Sequence, residues 1–277
     1  MISLIINADD LGCNAERDRG ILEAFKDGIV TSASLLANGP SFVVAAAQSK
    51  AAEMPVGVHL NLADGATLTG RIKGLTDECG QLPGKQRLRR YLAEGECDPA
   101  AIRRELAAQV ERLFDAGLHP DHCNSHQHCQ LYPCLTAMMT DLAREYGISA
   151  MRNSLPCEAA EEDPEGELGE EVTLYRQLAQ VAYATIIGAG LRAPQGLWGM
   201  PLLNRLDTSR LCHLLERLPE GIWELMTHPG YPLEQGGPFD GPQRLEELQA
   251  LLSADAREII ARRHIRLSTF GDLPCAS

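Results

Sequence analysis

Short apolar runs alternate along this chain with longer stretches whose apolar positions recur every three or four residues. Residues 2–7 (ISLIIN) predict a strand, and residues 15–27 (AERDRGILEAFKD) a helix. Asn14 is suited to cap that helix and Gly28 to stop it. A second strand is predicted at 29–38 (IVTSASLLAN), a helix at 41–52 and a third strand at 56–62 (VGVHLNL). Residues 63–98, rich in glycine and charge, read as a long loop or insertion. A helix follows at about 99–116, with Ile102, Leu106, Val110 and Leu113 on one face. Residues 120–128 (PDHCNSHQH) read as a strand and its exit loop, 134–146 as a helix and 147–153 as a short strand. An acidic stretch at 157–171 reads as a solvated surface loop. Beyond it the pattern predicts a helix at 172–190, a strand or loop at 196–203, a helix at 207–218 and a strand running into a turn at 221–231. Helices near 242–251 and 254–263 and a last strand at 265–270 complete the chain.

Strands alternating with helices indicate parallel βαβ units. The expected fold is therefore α/β, a single-domain (β/α)7–8 barrel with mostly parallel strands. It spans residues 1–277, with loop insertions near 63–98 and 154–171. An open doubly wound sheet is the alternative. The GxGxxG, GxxxxGK[ST] and GxSxG signatures are absent, which removes the main nucleotide-binding and serine-hydrolase readings.

Composition narrows the class. A chain of 277 residues with 44% hydrophobic content can bury one large core, and 5% aromatics makes that core mainly aliphatic. A net charge of -13 argues against nucleic acid or an anionic membrane surface as partner. No apolar run approaches a membrane span, and no secretory signal opens the chain, so a cytoplasmic protein is expected. Its nine cysteines are then expected to be reduced. Cys123, Cys129 and Cys134 lie near several histidines and raise a thiolate zinc site, but their spacing fits no common zinc module.

In a parallel barrel, chemistry sits at the C-terminal ends of the strands. The predicted strand ends carry Asp9 and Asp10, Asn38, His59 and Asn61, His126 and His128, Arg152 and Asn153, and His228. Two adjacent carboxylates at the end of an apolar strand need either solvent or a cation in front of them. One carboxylate and two imidazoles from separate strands can hold a divalent ion and leave positions open for water and substrate. Asp10, His59 and His126 are the expected ligands. His128, two residues from His126 on the same predicted strand face, is the rival. Asp9 is then placed to act as a general base, and His228, ahead of a Pro-Gly turn, to protonate a leaving amine. Arg152 is expected to pair with Asp9 or to orient substrate. Asn38, ahead of Gly39-Pro40, reads as turn chemistry or as a substrate-orienting group.

The segments NADDLG (7–12), GIVTSASLLANG (28–39), VGVHLNL (56–62), HCNSHQHCQLYP (122–133) and ELMTHPGY (224–231) occur in that order. Together they resemble the YdjC-type carbohydrate deacetylases, the group that includes ChbG- and HpnK-like proteins. The resemblance implies a deacetylase-type barrel and metal-dependent removal of an N-acetyl group from an amino sugar, in an oligosaccharide or a glycolipid. It implies Asp9 as base, Asp10, His59 and His126 as ligands, and His228 as the distal histidine. Asn124 stands where many members carry Asp, and Gln130 where they carry a further His. The cofactor is expected to be one divalent ion, Mg2+ or Zn2+, and a homodimer is possible. Two other readings use the same residues: a metal hydrolase acting on a phosphoester or another amide, and a carbohydrate-binding protein without catalysis.

Overall fold

Strand β1 (Ile2–Leu11) runs through the centre of the molecule and is buried along almost its whole length. The computed structural model describes residues 1–95 and 98–274, so Cys97 and Cys275 lie outside the described residues. After β1 come α1 (Ala15–Asp27), β2 (Ser32–Leu35), α2 (Phe42–Ala51), β3 (Val56–Leu60), α3 (Lys85–Glu94), α4 (Pro99–Asp115) and β4 (His122–Ser125). The second half supplies α5 (Pro133–Glu145), β5 (Ala150–Met151), α6 (Glu167–Gly188), β6 (Leu197–Trp198), α7 (Thr208–Arg217) and β7 (Gly221–Thr227). It ends with α8 (Gln243–Leu252), α9 (Ala254–Arg262) and β8 (Arg266–Ser268).

All pairings between these strands are parallel, in the order β5-β4-β3-β2-β1-β7-β6, with β8 beside the first half of β1. An isolated parallel bridge between Pro156 and Leu197 joins the continuation of β5 to β6 and brings the two ends of the path together. The result is the expected parallel α/β barrel with helices outside, rather than an open doubly wound sheet. Helix α1 covers the predicted residues, and the Asn14 side chain accepts from the Arg17 backbone N–H at 2.9 Å as its cap.

Successive side chains of a strand point to opposite faces. On β1 the even positions Ile2, Leu4, Ile6 and Ala8 join the main apolar cluster beneath the helices. The odd positions face the lumen. Ser3 bonds Ser268, Ile5 packs with Ala150, Phe270 and Leu273, and Asn7 and Asp9 bond each other. The floor is therefore apolar, closed by Phe270, whose ring stacks on His122 at 3.8 Å. Above the floor the lumen is polar. Ser34, Asn7, His122, Arg152 and Glu224 occupy it and hydrogen-bond to one another or to Asp9. Gly57 lets the His122 ring cross, because a Cβ there would sit 2.4 Å from that ring.

Three expectations need correction. The stretch 63–98 is not all loop: it contains α3 and a turn closed by an antiparallel bridge between Ala66 and Gln81. Helix α3 buries only Leu88 and Leu92, spaced four apart in a segment that is otherwise strongly polar. The last residues of 154–171 are helical, since α6 begins at Glu167. Strand β4 stops at Ser125, and residues 126–131 coil into tight turns with Gln127 and His128 at φ +58° and +52°. His126 and His128 therefore do not share a strand face.

Candidate metal centre

Strand alternation alone would send Asp9 inward and Asp10 out toward the helices. The register between β1 and β2 slips between Ala8 and Leu11, and Asp10 takes φ +66°. That left-handed kink turns Asp10 back over the barrel mouth, so both carboxylates line one cavity. Backbone strain of this kind persists only where surrounding contacts hold it. Here Gly12 N–H donates to the buried Asp18 carboxylate at 2.6 Å, and Arg17 Nη1 donates to Asp10 Oδ2 at 2.6 Å.

With Oδ2 taken by Arg17, Asp10 Oδ1 faces His59 Nε2 at 3.3 Å and His126 Nδ1 at 2.9 Å. Neither Asp10 Oδ1 nor His59 Nε2 has an aligned hydrogen-bond partner, although both atoms are buried. The reason lies behind the rings. Asn124 commits its amide N–H to Asp9 Oδ1 at 3.1 Å, so its carbonyl oxygen faces His59 Nδ1 at 2.7 Å and can only accept. Nδ1 carries the hydrogen, and in the neutral ring Nε2 presents a lone pair to a carboxylate oxygen. On the other side His126 Nε2 is paired with Asp64 Oδ2 at 2.9 Å, leaving Nδ1 for Asp10. Electron pairs facing one another across a buried gap call for a cation between them. Burial alone would depress the pKa of His126, but Asp10 and Asp64 on its two sides hold it up to about 10. A proton and a metal ion are therefore alternative occupants of the same spot. Among the described residues, Asp10, His59 and His126 are the one group of His, Cys, Asp or Glu side chains whose ligand atoms converge, all within 4.8 Å of one another. The chemistry of this donor set fits a divalent ion. Cys123, Cys129 and Cys134 do not join it.

Asp9 lies beside this trio and is held by four donors. Arg152 grips it with Nη1 to Oδ2 at 2.6 Å and Nη2 to Oδ1 at 2.9 Å. Asn7 and Asn124 also donate to Oδ1. Burial would raise the Asp9 pKa, but the Arg152 guanidinium outweighs it and holds the carboxyl well below the usual range. Arg152 is itself fully buried and also donates to Glu224 Oε1 from Nε at 2.8 Å. It sits behind Asp9 and is not part of the cavity lining, so of its two expected roles the pairing with Asp9 is the one the structure shows.

The cavity measures about 400 Å³, and its lining combines the trio, Asp9 and Asn38 with Tyr175, Met200, Met226 and Phe239. His228 is on its wall, edge-on to Phe239 at 5.2 Å between ring centroids. Burial pushes His228 down to about 3 against the pull of Asp10 and Asp9, so its ring is neutral at pH 7. His128 points away from the trio, to Ser154 Oγ at 3.0 Å and against the Tyr175 ring. The backbone turn at 126–128 separates it from His126, and it is not placed as a ligand. Asn38 donates to the carbonyls of Asp64 and Ala66 and accepts from Asn61, which fixes the loop carrying Asp64. Sequence reasoning missed Arg17, Asp64 and Asp240, whose roles depend on how helix and loop pack, and Glu224, which lies in the middle of β7 rather than at a strand end. Asp240 accepts from Arg17 Nε at 3.0 Å, which ties residues 238–240 to the site.

Fold and site together define a parallel α/β barrel with a candidate metal centre at the C-terminal mouth of its strands. The model of the YdjC-like protein family matches residues 3–262, and the chain belongs to that family. It is 32% identical over 299 residues to a carbohydrate deacetylase from Mus musculus, covering 98% of this chain and 95% of the other. It is also 32% identical to a carbohydrate deacetylase from Geobacillus stearothermophilus, with 96% of each chain covered. A solved structure from Enterococcus faecalis, named as a candidate cellobiose-phosphate cleavage protein, superposes with a TM-score of 0.76 at 26% identity, covering 97% of both chains.

Proposed function

We propose that this protein is a divalent-metal-dependent deacetylase that removes an N-acetyl group from an amino sugar and releases acetate. The observation that carries this reading is the convergence of Asp10 Oδ1, His59 Nε2 and His126 Nδ1 on one buried point beside Asp9. The names of the relatives support the sugar and the acetyl group. A bound ion would be held by Asp10, His59 and His126, and would supply Lewis-acid polarisation of the acetamide and a more acidic water. Two imidazoles and one carboxylate suit zinc and accept other transition ions, whereas magnesium matches imidazole less well.

The protein's own groups divide the remaining work. Asp9 Oδ1 is saturated by three donors, so Oδ2, with Arg152 alone, is the oxygen left to take a proton from the attacking water. Arg152 and Asn124 hold that carboxylate still, which removes a search over orientations. His228 delivers a proton to the leaving nitrogen. Because this buried ring is neutral, it first takes up a proton from solvent as negative charge develops on the substrate carbonyl oxygen and then passes that proton to the leaving nitrogen, while Asp9 returns the proton it took from water to solvent. The apolar wall at Met200 and Met226 limits water around the reacting group. The test is acetate release from a panel of N-acetylated mono- and oligosaccharides and glycolipids, with Zn2+, Co2+, Mn2+ or Mg2+ added. Metal-dependent acetate release is expected. Release of phosphate from phosphorylated sugars, or saturable sugar binding with no turnover of any member, contradicts it.

A further inference from the structure

The ring nitrogens of His228 make no hydrogen bond to protein among the described residues, yet its main chain is gripped from both sides. Glu247 Oε1 accepts from the His228 backbone N–H at 2.7 Å. Arg244 Nη1 donates to the His228 carbonyl at 2.5 Å. The Arg244 carbonyl accepts from Gly230 N–H at 3.1 Å, two residues on. Arg244 and Glu247 are one turn apart on α8 and approach each other at 3.3 Å, with both side chains buried. The Arg244 guanidinium also lies over the Phe239 ring at 4.4 Å, and that ring meets His228 edge-on. A buried ion pair is weak evidence for stability, because desolvating two charges offsets their attraction. Its placement here has a second consequence: it fixes the peptide on which the His228 ring is mounted.

We propose that Arg244 and Glu247 are positioning residues that act through His228, setting where its ring stands over the cavity. This rests on the deacetylase reading above. The experiment measures kcat and KM for an N-acetylated sugar, together with bound metal, in the metal-loaded enzyme and its variants. Glu247→Ala is expected to lower kcat by up to about 100-fold with KM and metal content unchanged, since small misplacements of a reacting group cost that much. Glu247→Gln, which keeps an acceptor oxygen for the His228 N–H, is expected to restore most of the rate. In a His228→Ala background, Glu247→Ala is expected to cost nothing more, because residues that act as a unit are not additive. Arg244→Lys provides the same cycle if Glu247→Ala does not fold. A loss that stays fully multiplicative in the His228→Ala background, or an unchanged kcat in both single variants, overturns the proposal. Absence of acetate release by the wild-type enzyme instead overturns the deacetylase reading.

Discussion

Asp9 and Asn124 carry the sharpest consequences at the scale of single residues. Asn at position 9 cannot take a proton, so Asp9→Asn should lower kcat by about 100- to 10,000-fold. Bound metal should stay at its wild-type level, read by elemental analysis alongside the rate. Asn124 fixes the ring of His59 from behind through the 2.7 Å contact. Groups that orient a ligand typically contribute about 10- to 100-fold in metal affinity, so Asn124→Ala should weaken metal binding by that much in a competition titration. Asp9, Asp10, His59 and His126 were legible in the sequence because polar residues at the ends of apolar strands stand out. His128 was misread because the period-2 rule was carried past Ser125, where the strand ends. Arg17 and Asp64 left no such signal, since nothing in their local sequence says which helix face or loop meets the barrel mouth.

The close approach of α1 to the turn after β7 shapes the site at the scale of elements. A Cβ on Gly20 would stand 2.5 Å from Gly230 Cα and 2.8 Å from its nitrogen, with no flexible side chain to yield. Gly20→Ala should therefore push α1 from the His228–Gly230 turn and cost about 1–3 kcal/mol, the usual range for overpacking. Urea unfolding reads the stability, and kcat should fall with it because Arg17 on α1 and His228 on the turn both face the cavity. Helix α1 was predictable to its ends from Asn14, its apolar spacing and Gly28. The kink that turns Asp10 inward was not, because NADDLG reads equally well as a straight strand end. Helix α3 was hidden by its own polarity.

A parallel barrel of this kind was legible, at the scale of the whole molecule, in the alternation of apolar runs and amphipathic stretches. Its closure was not. Strands β5 and β6 are two residues each, and the seam depends on two isolated parallel bridges, Ala150 to Arg192 and Pro156 to Leu197. Glu158 is buried at that seam, where it accepts from Gly199 N–H at 2.5 Å. Burial pushes its carboxyl up from 4.5 to about 7. Between these two values the folded chain binds the proton that the unfolded chain releases, so this group makes stability fall as pH rises through that window. Glu158→Gln should remove the dependence. The variant should gain up to about 3 kcal/mol on the wild type between pH 4.5 and pH 8, by denaturant unfolding at each pH. The central claim, a dication gripped by β1, β3 and the turn after β4, is tested most directly by metal content. Elemental analysis after dialysis against a divalent-metal buffer should find one equivalent per wild-type chain and little in His59→Ala. Equal metal in both proteins, or none in the wild type, would contradict the account.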